Sequence, residues 1–149
     1  VALFVDMDGT IVEYRVFPEN FVTTETKEVF LNAEPLEVIL KNLEKINEID
    51  NLDVYILSLA RSFIIVEEKK QWLKKYAPFI REENYILLNK ENGDYNAENR
   101  EFIKSIKMME KLNEYDYVIL LDDDHKILKR TLNEVGKNGE VFHVSSATM

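Results

Sequence analysis

Residues 1–10 read VALFVDMDGT: five apolar positions, then two acids that flank a methionine, then a glycine and a threonine. A continuous apolar run, as opposed to an alternating one, predicts a central strand buried on both faces that stops at a polar rim at Asp6. The same pattern recurs at 52–58 (LDVYILS), 84–88 (NYILL), 116–122 (DYVILLD) and 140–145 (EVFHVS), so five strands are expected. Helical periodicity fills the spaces between them. From 34 to 50, Leu36, Ile39, Leu40, Leu43, Ile46 and Ile49 recur at spacings of three and four, with Pro35 suited to a first helical turn. Residues 62–76 carry Phe63, Val66, Leu73 and Tyr76 behind a Ser62 cap, and 98–113 carry Phe102, Ile103, Ile106, Met109 and Leu112. A last helix over 126–135 presents Ile127, Leu128, Leu132 and Val135. Helices separating strands in this way predict an α/β fold of three layers, a mostly parallel five-stranded sheet flanked by helices.

The length of 149 residues suits one domain with a core of its own. Residues 11–33 are the least regular stretch and read as a flap or minimal cap. Hydrophobic residues at 46% and charged residues at 32% exclude a disordered or low-complexity chain. With no cysteine and two histidines, disulfides, thiolate zinc sites and cysteine nucleophiles are excluded, so chemistry must run on carboxylates, hydroxyls and amines. The net charge of −9 argues against broad nucleic-acid or anionic-membrane binding. No apolar run is long enough for a membrane span and the first residues do not read as a signal peptide, so a cytoplasmic location is expected. Val at position 1 leaves open a start further upstream.

Five of the nine aspartates fall in two clusters, Asp6 with Asp8 and Asp122 to Asp124, and each cluster leaves the carboxyl end of an expected strand. That is where the loops of a parallel sheet diverge to form a crevice. Several carboxylates converging there repel one another unless a cation sits among them, and hard oxygen donors point to Mg²⁺. An EF-hand does not fit, because Gly9 follows the second acid directly and a strand precedes it.

Asp6-Met7-Asp8-Gly9-Thr10 after a buried strand resembles DxDGT, the first motif of the haloacid dehalogenase-like (HAD) superfamily of phosphohydrolases. Ser58, closing VYILS, is similar to the second motif, with Leu59 beside it at the phosphate. Asp122 and Asp123, closing VILLDD, resemble the fourth, whose acids complete a Mg²⁺ site. The third motif is a Lys or Arg upstream of the fourth strand; Arg100 is the first candidate, followed by Lys90 and Lys104. The resemblance implies that Asp6 attacks phosphorus to give an aspartyl-phosphate, and that Asp8 protonates the leaving oxygen and later activates water. It implies that Gly9 and Thr10 approach the phosphate, that Ser58 and Arg100 hold its oxygens, and that Mg²⁺ is held by Asp6, the Asp8 carbonyl, and Asp122 or Asp123. An acid at position 8 favours a phosphatase, and the short spacings between motifs leave no room for a large cap. The implied activity is a Mg²⁺-dependent phosphomonoester hydrolase acting on a phosphorylated small molecule or macromolecule end, nucleotides and nucleic-acid ends among them. The rival readings are a phosphotransferase or mutase on the same site, and a noncatalytic module binding Mg²⁺ or a phosphoprotein.

Other residues read as structural. Asp124 is expected to cap a helix, His125 to sit at the surface, His143 to be structural, and Trp72 to pack in the core. Lys69, Lys70, Lys74 and Lys75 read as a solvated basic face.

Overall fold

The computed structural model describes residues 1–13 and 30–148. Its five strands are β1 (Ala2–Val5), β2 (Asp53–Ala60), β3 (Tyr85–Asn89), β4 (Val118–Asp122) and β5 (Gly139–His143). All four pairings are parallel, in the order β3-β2-β1-β4-β5. The apolar runs are buried as their continuity requires, with Ala2, Phe4 and Val5 at 0% exposure. Four helices flank the sheet: α1 (Glu37–Ile46), α2 (Phe63–Tyr76), α3 (Ile103–Glu110) and α4 (His125–Val135). The fold is therefore the expected three-layer α/β arrangement.

Strand alternation divides the core in two. Leu3, Val5, Val54 and Ile56 face Ile39, Leu40 and Leu43 of α1 and Trp72 and Leu73 of α2. Ala2, Phe4, Leu57, Val118 and Leu120 face Ile103 and Met108 of α3 and Ile127, Leu128 and Val135 of α4. Because β1 is central, the chain winds outward through β2 and β3 and then crosses back to β4 and β5. The carboxyl ends of β1 and β4 thus lie at the switch point where such sheets open a crevice.

Several sequence expectations are corrected. The first helix begins at Glu37, and Pro35 lies before it in an antiparallel bridge with Val12. Most of the 11–33 flap lies outside the described residues, but its two ends belong to the core. Ile11 and Val12 are at most 1% exposed, Phe30 and Ala33 are buried, and Glu13 N–H donates to the Glu34 carbonyl at 2.8 Å. The third helix starts at Ile103, not 98, because Asn96 and Asn99 tie residues 96–99 into a turn: Glu98 N–H donates to Asn96 Oδ1 at 2.8 Å, and Asn96 N–H to Asn99 Oδ1 at 2.7 Å. Its buried face is Ile103, Lys104, Ser105 and Met108, whereas Ile106 and Met109 are exposed. In α2, likewise, Phe63 is exposed and the buried face includes Glu68 and Lys69. Leu132 of α4 is exposed as well, its core position taken by Thr131.

Candidate active site

At the end of β1 the chain leaves the sheet through Asp6, and the next residues turn tightly: the N–H groups of Thr10, Ile11 and Val12 all donate to the Met7 carbonyl at 3.0 Å. Gly9 makes this turn possible with φ of +77°, a conformation that an L side chain resists. A Cβ at position 9 would also run into the Asp123 carboxylate. Glycine is therefore needed twice over, for its backbone and for the room that lets the second acidic cluster close on the first.

Asp6 is buried, and both its oxygens are engaged. Oδ1 accepts from Lys104 Nζ at 2.8 Å and Oδ2 from Thr10 Oγ1 at 3.2 Å. Burial pushes its carboxyl up, but the charge and hydrogen bond of Lys104, with Lys69 adding to them, outweigh this and hold it below the usual carboxylate range. Lys104 reaches a second acid, Asp122, at 2.7 Å. Burial pulls the Lys104 ammonium down, yet the two carboxylates carry it above its ordinary value.

The second cluster divides into distinct parts. Asp122, 1% exposed, accepts from Lys104 through Oδ2 and from the N–H groups of Asp123 and Asp124 through Oδ1, at 2.8 and 3.1 Å. Burial and the neighbouring Asp6 charge push its carboxyl up. Asp123 is less enclosed, and burial with the Asp6 charge pushes it up to about 7. Asp124 caps α4, accepting from Lys126 N–H at 2.9 Å and Ile127 N–H at 3.3 Å, as its position suggested. His125 follows the cap, and its ring stacks on that of His143 at 4.5 Å.

Asp6, Asp122 and Asp123 each offer an oxygen within 4.8 Å of the others. The three carboxylates are faced by one directly bound ammonium, that of Lys104, which leaves excess negative charge. A set of hard oxygens with unbalanced negative charge fits a hard divalent cation such as Mg²⁺. Asp8, which had been expected beside them through its carbonyl, has its side chain outside this trio. That side chain is 51% exposed and pairs with Lys69 at 3.1 Å.

Asp6, Asp8, Leu59, Arg100, Lys104 and Asp122 to Asp124 line a crevice of about 420 Å³, with Ile127 as apolar wall. A larger crevice of about 540 Å³ between α2 and β3 contains none of these carboxylates, so the chemistry belongs to the smaller one. Of the three third-motif candidates, Lys104 is the one in contact with the acids. Arg100 lies exposed at the mouth of the crevice, and Lys90 is exposed outside its lining. The Asn96–Asn99 turn delays the helix, so its second residue, Lys104, faces the acids and Arg100 does not contact them. Thr10 is fully buried with its hydroxyl on Asp6, and Ser58 is 1% exposed with its Oγ accepting from Lys69 Nζ at 2.7 Å. Lys69 is the residue that sequence reasoning missed. It is 1% exposed, although its sequence neighbours are the lysines of a solvated face.

No protein-family model matches this sequence, and comparison with curated proteins gives no match. Solved structures do match. The HAD domain of the effector protein Lem4 from Legionella pneumophila is similar with a TM-score of 0.58 at 14% identity, over 95% of this chain and 83% of that one. An inactive mutant of the same domain is similar with a TM-score of 0.58 at 13% identity, over 95% and 84%. What is shared at such identity is the fold, and the fold of this chain is HAD-like.

Proposed function

We propose that this chain is a Mg²⁺-dependent phosphomonoester hydrolase of HAD type that works through an aspartyl-phosphate on Asp6. The observation that carries the reading is the setting of Asp6: a buried carboxylate at the carboxyl end of the central strand, kept ionised by Lys104, fixed by Thr10, and joined by Asp122 and Asp123. A fixed, ionised carboxylate at the floor of a crevice is what nucleophilic attack on phosphorus requires.

An Asp6 oxygen forms a bond to phosphorus as the ester P–O bond breaks, and Asp8, protonated for this step, gives its proton to the departing oxygen, releasing an alcohol. Water then attacks the phosphorus of the aspartyl-phosphate and passes a proton to the Asp8 carboxylate. The P–O bond to Asp6 breaks, inorganic phosphate leaves, and both residues return to their starting forms. Lys104 keeps Asp6 and Asp122 together through both displacements. Asp6, Asp122 and Asp123 would hold Mg²⁺, which supplies positive charge that offsets the repulsion between carboxylate and phosphate. The substrate class placed first is a nucleotide or a phosphorylated nucleic-acid end, and the working compartment is the cytoplasm. No helix among the described residues is long and apolar enough to cross a membrane.

The test is release of inorganic phosphate from a panel of aryl phosphates, nucleotides, sugar phosphates, phosphopeptides and 3′-phosphorylated oligonucleotides, with Mg²⁺ or EDTA. Release should require Mg²⁺, favour the nucleotide or oligonucleotide arms, and vanish in Asp6→Asn while the melting curve stays folded and cooperative. Phosphate appearing on a second alcohol instead of in solution overturns hydrolysis in favour of transfer. Turnover persisting in Asp6→Asn overturns the nucleophile.

A further inference from the structure

The ammonium group of Lys69 has three protons and three oxygen partners: Ser58 Oγ at 2.7 Å, the Leu59 carbonyl at 2.7 Å and Asp8 Oδ2 at 3.1 Å. Two of these partners belong to the end of β2 and the third to the turn that follows β1, so a single α2 side chain ties the two segments together. The Ser58 hydroxyl is buried and the Leu59 carbonyl partly so, and the aromatic ring of Phe30 lies 5.2 Å from the ammonium. The lysine is therefore held firmly from below and the sides. Asp8, by contrast, is half-exposed, and a solvated aspartate on a turn has no reason to keep one rotamer unless something fixes it.

We propose that Lys69 is a positioning residue for Asp8: anchored on Ser58 and Leu59, it clamps Oδ2 and leaves Oδ1 aimed at the crevice as the oxygen that exchanges the proton. The inference rests on the assignment of Asp8 as acid and base in the proposed hydrolysis. It also gives Ser58 a different task from the one its motif implies, since Ser58 Oγ is engaged beneath Lys69 and the side chain is sealed from the crevice. Lys104 and Lys69 then divide the work, one serving the nucleophile and the other the proton donor.

The experiment compares two esters on the same enzyme preparation: p-nitrophenyl phosphate, whose leaving group departs without a proton, and phenyl phosphate, whose leaving group needs one. The ratio of their kcat/KM values is unaffected by a partly unfolded preparation, because unfolding removes both activities equally. Lys69→Met should lower kcat/KM, which reports only the step that expels the leaving group and not the later attack of water, on phenyl phosphate by about 10- to 100-fold, part of the general range for acid–base catalysis, and on p-nitrophenyl phosphate by less than about threefold. In an Asp8→Asn background the same substitution should cost less than about threefold on either ester, since two residues acting through one proton are not additive. Lys69→Arg should restore part of the ratio. Equal losses on both esters with a raised KM overturn the proposal and make Lys69 a direct phosphate ligand. An unchanged ratio makes it a packing residue only. If the wild-type protein releases phosphate from no ester at all, the hydrolase reading itself fails and this role fails with it. A wild-type protein that is active but indifferent to Lys69 overturns the role alone.

Discussion

Lys104 and Lys69 are both buried, both belong to helices, and both act on the ionisation of Asp6, but they approach from opposite layers of the sheet and have different partners. Lys104 comes from α3 and meets two carboxylates, 9% and 1% exposed in their side chains. Lys69 comes from α2 and meets one carboxylate, which is half in water, together with two neutral oxygens. The difference decides what each can do. A cation sealed between two buried anions chiefly neutralises charge that the fold cannot otherwise tolerate. A cation held by neutral groups against a solvated carboxyl group chiefly fixes a direction.

The sharpest way to break this comparison is to remove each charge in turn. Lys104→Met leaves Asp6 and Asp122 buried with no cation in contact, and should cost about 3–5 kcal/mol of stability in metal-free buffer along with nearly all turnover. Lys69→Met leaves Asp8 free to be hydrated and strands two hydrogen-bond acceptors, so about 1–3 kcal/mol is expected. Urea unfolding in EDTA measures both. Adding Mg²⁺ should return part of the loss in Lys104→Met and little in Lys69→Met, because only the first variant leaves naked carboxylates at the metal trio. Equal losses, or an equal Mg²⁺ response, would show that the two lysines are not distinguished in this way.

The strands were legible because a central parallel strand buries both faces, which leaves a run of apolar residues that admits few other readings. Asp6 and Asp122 were legible at the crevice because they end such runs, with Asp8 and Asp123 just beyond them. Asp124 was legible as a cap from its place before α4. Lys69 was not, and Lys104 was legible only as a candidate behind Arg100, for one physical reason. Periodicity assigns every charged residue to solvent, so a helix that carries an ammonium inward has its buried face misplaced, as happened with Ile106 and Met109 of α3 and Phe63 of α2. Nothing local to KKQWLKK says that Lys69 differs from Lys70. What distinguishes it is oxygen atoms contributed by β2 and by the β1 turn, at 10, 11 and 61 positions' distance. The Asn96–Asn99 turn that shifts the start of α3, and with it the choice between Arg100 and Lys104, was in principle readable from the two asparagines.

Smaller effects probe how the acidic clusters meet. Gly9→Ala demands a left-handed backbone from alanine and places its Cβ against Asp123, so a loss of about 2 kcal/mol is expected, together with weakened Mg²⁺ binding by calorimetry. Asp123→Asn should act in the opposite direction. Its carboxyl is pushed from the ordinary 3.8 up to about 7 in the folded protein, so the folded state holds this proton more tightly than the unfolded chain does. That contribution is fully present below pH 4, falls as pH rises from 4 to 7, and is absent above. In EDTA the variant should therefore be more stable than wild type at pH 8, by on the order of 1 kcal/mol after solvent screening, and should show no such gain at pH 4. With Mg²⁺ the order at pH 8 should reverse, since the substitution removes one of the three carboxylates proposed to hold the ion. A gain of the same size at both pH values would mean that charge at Asp123 is not its source.

The smallest expected effect is that of Arg100→Ala, and it bears directly on which cation serves Asp6. Arg100 lies in the turn before α3, exposed at the crevice mouth, with no ion pair to another described residue. Its removal therefore strands no buried group, and stability should stay within about 0.5 kcal/mol of wild type. Its guanidinium still adds positive potential where an anionic substrate enters an acidic protein. The substitution should raise KM by roughly two- to fivefold at low salt, with the difference fading as ionic strength shortens the range of that potential. The kcat should change little, since Lys104 already holds Asp6. A collapse of kcat in Arg100→Ala as deep as that in Lys104→Met would mean that the turn moves when substrate binds, bringing the guanidinium onto the phosphoryl oxygens. Asp6 would then depend on one cation at rest and on a second during reaction.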